Sequence, residues 1–215
     1  MQVEIWSDVA CPFCYIGKRK FEAAWERFPH RDEVKVAWKS FQLAPEAVTD
    51  PDRHINEYLA DRKGWSLEQA RQANERVARM AAEVGLAYDF DKVVVANTFD
   101  AHRLIQLART LERDADMEEN LFRAYFTEGG NVADPATLLA LGRAAGLPEA
   151  DVGRVLGGEE FAEAVRRDIR EARQLGIQGV PFFALDRRYG VAGAQDSGVI
   201  LQALEQAYAE WKEAT

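Results

Sequence analysis

Cys11 and Cys14 are the two cysteines of this 215-residue chain, and both fall in the stretch SDVACPFCYIGK. At the start of a helix, a Cys-x-x-Cys spacing sets the first thiol at the positive end of the helix dipole. Unpaired backbone N–H groups there favour a thiolate. The second thiol falls one turn inside, close enough to close a small disulfide and more shielded. The chemistry on offer is two-electron exchange, with Cys11 as nucleophile and Cys14 as resolving thiol. The same spacing also admits half a zinc site or two inert core thiols. Zinc needs two more ligands, and only His30, His54 and His102 are present, none in an H-x-x-x-H pair. Proline and polar neighbours at a helix start disfavour inert core cysteines. Redox is the favoured reading, with no metal expected.

Such a pair must be placed by a strand that ends just before it and a helix that begins with it. Residues 2–6 (QVEIW) alternate through Val3 and Ile5, and a helix is expected from about Cys11. Its stripe is Phe21, Ala24, Trp25 and Phe28, and Pro12 suits its first turn. Residues 33–43 alternate again through Val34, Val36 and Trp38, so a βαβ unit with parallel strands is predicted. From about residue 48 to 176 the pattern is a run of helices, with Ser66, Thr98 and Asp134 as caps. GVPFFAL and RYGVAGAQ then read as strands, and DSGVILQALEQAYAEW as a terminal helix. The expected architecture is one α/β domain built from residues 1–47 and 177–215 and split by an all-helical insertion, 48–176.

Composition narrows the partners. Hydrophobic residues make up 47% of the chain, enough for a substantial core, and the formal net charge is −9. An acidic chain with dispersed cations has no general attraction for phosphate backbones or anionic lipid, so neither nucleic acid nor membrane is expected as a partner. No stretch approaches the ~20 apolar residues of a spanning helix. MQVEIWSDVACPFC does not read as a secretory signal, and the expectation is a cytoplasmic protein, where a purely structural disulfide is unusual.

CPFCYIGK after a first strand, a long helical insertion, and GVPFF in the last third together resemble the DsbA-like thioredoxin-fold oxidoreductases, above all their cytosolic FrnE-type subgroup. The resemblance spans essentially the whole chain. It implies a thioredoxin-like domain made from the two chain ends, with the insertion over the active site. It also implies that Pro181 is a cis-proline facing the disulfide and that the Val180 backbone hydrogen-bonds an extended substrate. Without the Cys-x-x-Cys, Pro181 would read as an ordinary trans strand start; with it, cis is the favoured reading. Periplasmic DsbA carries His between Pro and the second Cys, where this chain has Phe13. Phe13 offers no hydrogen bond, so a less extreme Cys11 pKa is expected, with a potential more reducing than DsbA's ~−120 mV.

Weaker candidates surround this pair. The FrnE-type resemblance places an Asn-Thr pair and His102 on an insertion helix facing the site, with His102 as a proton carrier; the alternative is a histidine satisfied within the insertion. Lys18 stacks on the cysteine side of the helix or is simply solvated. Asp8 shapes the turn or moves protons. Trp6, Phe13, Tyr15 and Phe41 floor an apolar groove or belong to the core.

The leading function is a dithiol–disulfide oxidoreductase, with isomerase activity as a variant, acting on protein thiols. Its cofactor is nothing beyond the Cys11–Cys14 disulfide, with glutathione as a conceivable co-substrate. A monomer or a homodimer fits. One alternative is a glutathione-dependent small-molecule enzyme of the transferase kappa or 2-hydroxychromene-2-carboxylate isomerase type, in which a serine normally stands at the first cysteine's position. Another is a non-catalytic redox-sensing or chaperone-like module.

Overall fold

In a computed structural model, which describes residues 1–214, the alternating segment after Met1 forms β1 (Gln2–Ser7). The helix α1 (Pro12–Arg27) follows, with Cys11 at its N-cap and Pro12 at its first position. Proline there forfeits nothing, because the first N–H groups of a helix have no intrahelical acceptor. β2 (Lys35–Ser40) pairs parallel with β1, Ile5 beside Trp38, as the alternation predicts. The strand is shorter than the 33–43 run. Arg31–Glu33 form a 3-10 turn before it, and past Ser40 the chain leaves the sheet, with Leu43 N donating to Asp8 Oδ2 at 2.7 Å.

The long middle segment is mainly helical. It contains β3 (Asp50–His54), α2 (Ile55–Lys63), α3 (Leu67–Glu83), β4 (Val94–Val95), α4 (Phe99–Thr110) and α5 (Asp114–Arg123). A π-helical turn (Ala124–Glu128) leads to α6 (Pro135–Ala144), α7 (Glu149–Leu156) and α8 (Ala162–Gln174). Ser66 and Gln69 make a reciprocal capping box on α3, and Asp134 accepts from Thr137 N at 2.8 Å to cap α6. Two features depart from the sequence reading. The segment is not all helix, because β3 and β4 pair antiparallel. And α2 and α7 carry too little pattern to stand out: α2 buries only Ile55, Asn56 and Ala60, and α7 holds Gly153 in its interior.

The chain then returns as β5 (Phe182–Leu185) and β6 (Tyr189–Ala192), completing a sheet of order β2-β1-β5-β6 with β5 antiparallel to both neighbours. α9 (Ser197–Glu213) closes the chain. Alternation along β1 sends Val3 and Ile5 into a core shared with Phe21 of α1, Phe28 at its C-cap, and Ile200 and Leu204 of α9. Trp6 points to the opposite face, packing with Ala172, Ile177 and Ala184, and its indole Nε1 donates to Asp168 O at 2.9 Å. α8, which the sequence assigns to the helical block, therefore packs on the sheet. No helix among the described residues is long and apolar enough to cross a membrane.

A buried polar cluster fixes α8 there. Asp168 is fully buried; Lys39 Nζ lies 2.6 Å from its Oδ1, while Ser40 N (3.1 Å) and Gln106 Nε2 (2.6 Å) donate to Oδ2. Without Asp168 the buried Ser40 N–H loses its acceptor, while Lys39 keeps Glu171 at 2.9 Å. Asp168→Ala is expected to cost about 1–3 kcal/mol, read as a fall in the urea unfolding midpoint.

Candidate active site

The N-terminus of α1 delivers both thiols, which are reduced and buried. Cys11 Sγ donates to Val180 O at 3.4 Å, and the Val180–Pro181 peptide bond is cis. The two chain ends meet closely at this point. A Cβ on Gly17 would stand 2.7 Å from Pro181 Cγ, so glycine in the second turn of α1 is what lets the helix reach the proline ring. Cys14 lies behind Cys11, wholly shielded. Burial pushes its thiol pKa well above the ordinary value, and the hydrogen bond and charge of Cys11 add to the rise. Tyr88, from the segment between α3 and β4, donates its hydroxyl to Pro12 O at 2.7 Å and stacks on Phe126 at 4.7 Å. Burial, then the nearby Cys11, keep that phenol protonated far above its usual range.

Asp8 gathers the turn before the cysteines. Its Oδ2 accepts from Leu43 N at 2.7 Å, and its Oδ1 accepts from Thr98 Oγ1 at 2.8 Å and Ala10 N at 3.4 Å. His102, fully buried on α4, brings Nε2 to 3.3 Å from the same Oδ1. His102 thus meets Asp8 rather than a sulfur, and its Nδ1 is buried without a hydrogen-bond partner among the described residues. Thr98 holds the N-cap position of α4, but its hydroxyl is spent on Asp8. The capping acceptor is Asn97 Oδ1, which takes Phe99 N at 3.0 Å.

Cys11, Pro12, Phe13 and Val180 line one end of a cavity of about 580 Å³. Its walls are apolar side chains of the middle segment, among them Ile55, Leu59, Val77 and Met80, and its rim carries Arg62, Lys63 and Arg76. A second hollow of about 580 Å³, lined by His54, Glu57, Arg71 and Asp91 among others, includes neither cysteine.

Of the four aromatic candidates only Phe13 lines the first cavity. Trp6 sits on the far face of the sheet, Phe41 packs with it, and Tyr15 stacks on Phe122 at 4.9 Å. Lys18 does not serve the thiols and is not solvated either. It is buried, paired with Glu22 and, at 2.9 Å, with Glu119. Sequence reasoning missed Tyr88, Ser7 and Glu118. The Ser7 hydroxyl donates to Glu118 Oε2 at 3.3 Å. A carboxylate on a buried stripe beside Met117 and Leu121 was the available signal.

The model of the DsbA-like thioredoxin domain matches residues 2–205. A probable DsbA oxidoreductase from Streptomyces coelicolor is 43% identical, with a TM-score of 0.91 over 98% of this chain and 91% of that one. The cytosolic disulfide reductase DsbM from Pseudomonas aeruginosa, solved alone and with glutathione, shares the fold at 20% identity, with a TM-score of 0.66 over 100% of this chain and 98% of its own for the form without glutathione. A 2-hydroxychromene-2-carboxylate isomerase shares it at 13% identity, with a TM-score of 0.72 and full coverage of both chains.

Two outcomes follow from this geometry. Iodoacetamide should modify Cys11, which opens on the cavity, while Cys14 stays unmodified until the protein is unfolded; peptide mass spectrometry reads both. Gly17→Ala should destabilise by about 1–3 kcal/mol, because the added methyl meets the Pro181 ring, a loss that chemical denaturation measures.

Proposed function

The chain belongs to the DsbA-like thioredoxin domain family, and we propose that it is a dithiol–disulfide oxidoreductase acting on protein thiols, of the cytosolic FrnE type. The observation that carries this reading is the asymmetry of the two thiols: Cys11 faces an apolar cavity beside the Val180 carbonyl, and Cys14 is sealed behind it. The FrnE-type assignment is supported by Thr98 and His102, which both reach Asp8 in the turn before the cysteines, and by the adjacent Asn97, which accepts from Gln42.

The Cys11 thiolate attacks one sulfur of a substrate disulfide. The substrate S–S bond breaks, one substrate sulfur leaves as a thiolate, and a mixed disulfide forms. Cys14 then attacks Cys11 Sγ and releases the second substrate sulfur, leaving Cys11 and Cys14 oxidised and the substrate reduced by two electrons. In reverse, the oxidised pair donates its disulfide. The Val180 backbone offers hydrogen bonds to an extended substrate in the manner of an added strand, while Phe13 and the cavity walls take apolar side chains flanking the substrate cysteine.

A second reading has one observation in its favour. Lys63 and Arg76 on the cavity rim suit a short peptide carrying carboxylates, which glutathione is. DsbM has been solved with glutathione, and a small-molecule isomerase shares the fold.

Equilibration in graded glutathione buffers with thiol trapping separates the two. Dithiol exchange gives a reversible two-electron titration, with a midpoint between about −270 mV and about −120 mV. Phe13, having no hydrogen bond for a thiolate, keeps it on the reducing side of the upper value. Cys14→Ser should accumulate a mixed disulfide with an oxidised protein substrate, and Cys11→Ser should form none. A Cys11 glutathione adduct that never proceeds to the Cys11–Cys14 disulfide would move the assignment to the glutathione-dependent small-molecule class.

A further inference from the structure

Cys11 is the N-cap residue of α1, and both of its backbone groups are committed. Its N donates to Asp8 O at 2.9 Å, and its carbonyl accepts from Cys14 N at 3.0 Å. An N-cap side chain accepts from the backbone N–H two or three positions on. Cys14 N is already bonded, which leaves the Phe13 N–H, and among the described residues that group has no acceptor. In the reduced protein the Cys11 thiol directs its proton to Val180 O instead, at 3.4 Å. Ionisation removes that proton, and the sulfur turns from donor to acceptor with the Phe13 N–H beside it. Phe13 thus serves the sulfur through its backbone, not its ring.

The same peptide group is held at its other end. The Pro12 carbonyl and the Phe13 N–H belong to one planar unit and point in opposite directions. Pro12 O takes the hydroxyl of Tyr88 at 2.7 Å. A carbonyl has two lone pairs, so this bond adds to the ladder of α1 rather than replacing it. Hydrogen bonds in a chain polarise one another, and a donor on the carbonyl oxygen makes the N–H of the same peptide a stronger donor. We propose that Tyr88 stabilises the Cys11 thiolate through the Pro12–Phe13 peptide and so shifts the exchange equilibrium of the pair towards the dithiol. Tyr88 is a positioning residue, acting through the peptide rather than on the sulfur.

The surroundings suit a steady donor. The Tyr88 ring stacks on Phe126 at 4.7 Å and on Tyr15 at 6.1 Å, and Phe90 meets it edge-on at 5.7 Å. Burial, then the nearby Cys11, keep the phenol protonated, so the donor persists in both states of the thiol. The other titratable and charged groups about Cys11 are Cys14 behind it and Asp8, with His102 on its Oδ1. Across the cavity stand Tyr58, Tyr125 and the cations Arg62, Lys63 and Arg76. Among the described residues none of their side chains hydrogen-bonds Pro12 O, which takes Tyr88. Removing the Tyr88 hydroxyl alone leaves the rest of that field in place.

Tyr88→Phe tests this, because it deletes the hydroxyl and keeps the ring. The rate of Cys11 alkylation by iodoacetamide, followed against pH in the reduced protein, reads the thiolate directly. On the rising limb of that profile Tyr88→Phe should react about two- to fourfold more slowly than the native protein, with no lowering of the plateau at high pH. Replacing Tyr88 by fluorotyrosine, a stronger donor of nearly the same size, should move the limb the opposite way. In glutathione buffers the equilibrium of Tyr88→Phe should favour the Cys11–Cys14 disulfide by a similar factor. An alkylation profile of Tyr88→Phe that overlays the native one overturns the proposal, whatever the change in unfolding midpoint. So does a fluorotyrosine shift in the same direction as that of Tyr88→Phe. The inference deepens the dithiol exchange proposed above and fails separately from it: a native pair that never cycles in glutathione refutes the exchange, while the alkylation profiles still decide the role of Tyr88.

Discussion

The carboxylate of Asp8 ties together three parts of the chain that no single element joins. Its donors are Ala10 in the turn leading to Cys11, Leu43 just past β2, and Thr98 and His102 at the start of α4. Burying a carboxylate is unfavourable unless its lone pairs are satisfied. The donors here are backbone N–H groups, a hydroxyl and an imidazole, rather than a lysine or arginine that could swing away. Leu43 and Thr98 flank the first stretch of the inserted chain. One side chain therefore sets how that stretch returns to the cysteine turn, and so where the cavity wall stands relative to Cys11.

Beneath the thiols, α5 presents two consecutive acids with opposite fates. Glu118 turns into the interior and burial pushes it up to about 8. Burial also opposes ionisation of Glu119, but hydrogen bonds from Arg19, Tyr15 and Lys18 outweigh it and bring Glu119 down to about 2. Neighbouring positions on a helix point about 100° apart, so one turn of α5 both anchors α1 through a fixed ion cluster and sends the next carboxyl to the Ser7 hydroxyl at the end of β1. The same logic separates the thiols. Cys11 borders an apolar cavity and a carbonyl oxygen, whereas Cys14 is wholly buried in the core.

Much of this was legible in the chain because local rules governed it. The alternation of Val3 and Ile5, proline at the first position of α1 and the Ser66 capping box each read directly into an element. What escaped depends on contacts between distant residues. Lys18 looked solvated within the run KRK because nothing local announces Glu119 a hundred residues on. Thr98 was legible as a cap position but not as a donor to Asp8, since that role exists only once α4 crosses the cysteine turn. α8 read as one more amphipathic helix, and only the indole of Trp6 and the Lys39–Asp168 pair assign it to the sheet. β3 escaped because DPDRH has no apolar alternation.

The central strand β1 is flanked by one neighbour close in sequence and one at the far end, Ile5 lying beside both Trp38 and Phe183. Chain-closure entropy grows only with the logarithm of loop length, each doubling costing about 0.6 kcal/mol, so so long an interruption is cheap at equilibrium. Kinetically it is not, because contacts of large sequence separation form late. During synthesis β1, its cysteines and the first helix emerge long before β5 does, and the hydrogen-bonding edge that β5 will occupy stays open throughout. The inserted helices thus do more than roof a cavity. They delay assembly of the centre until nearly the whole protein exists, and a truncated chain carries both thiols without the strand that encloses them.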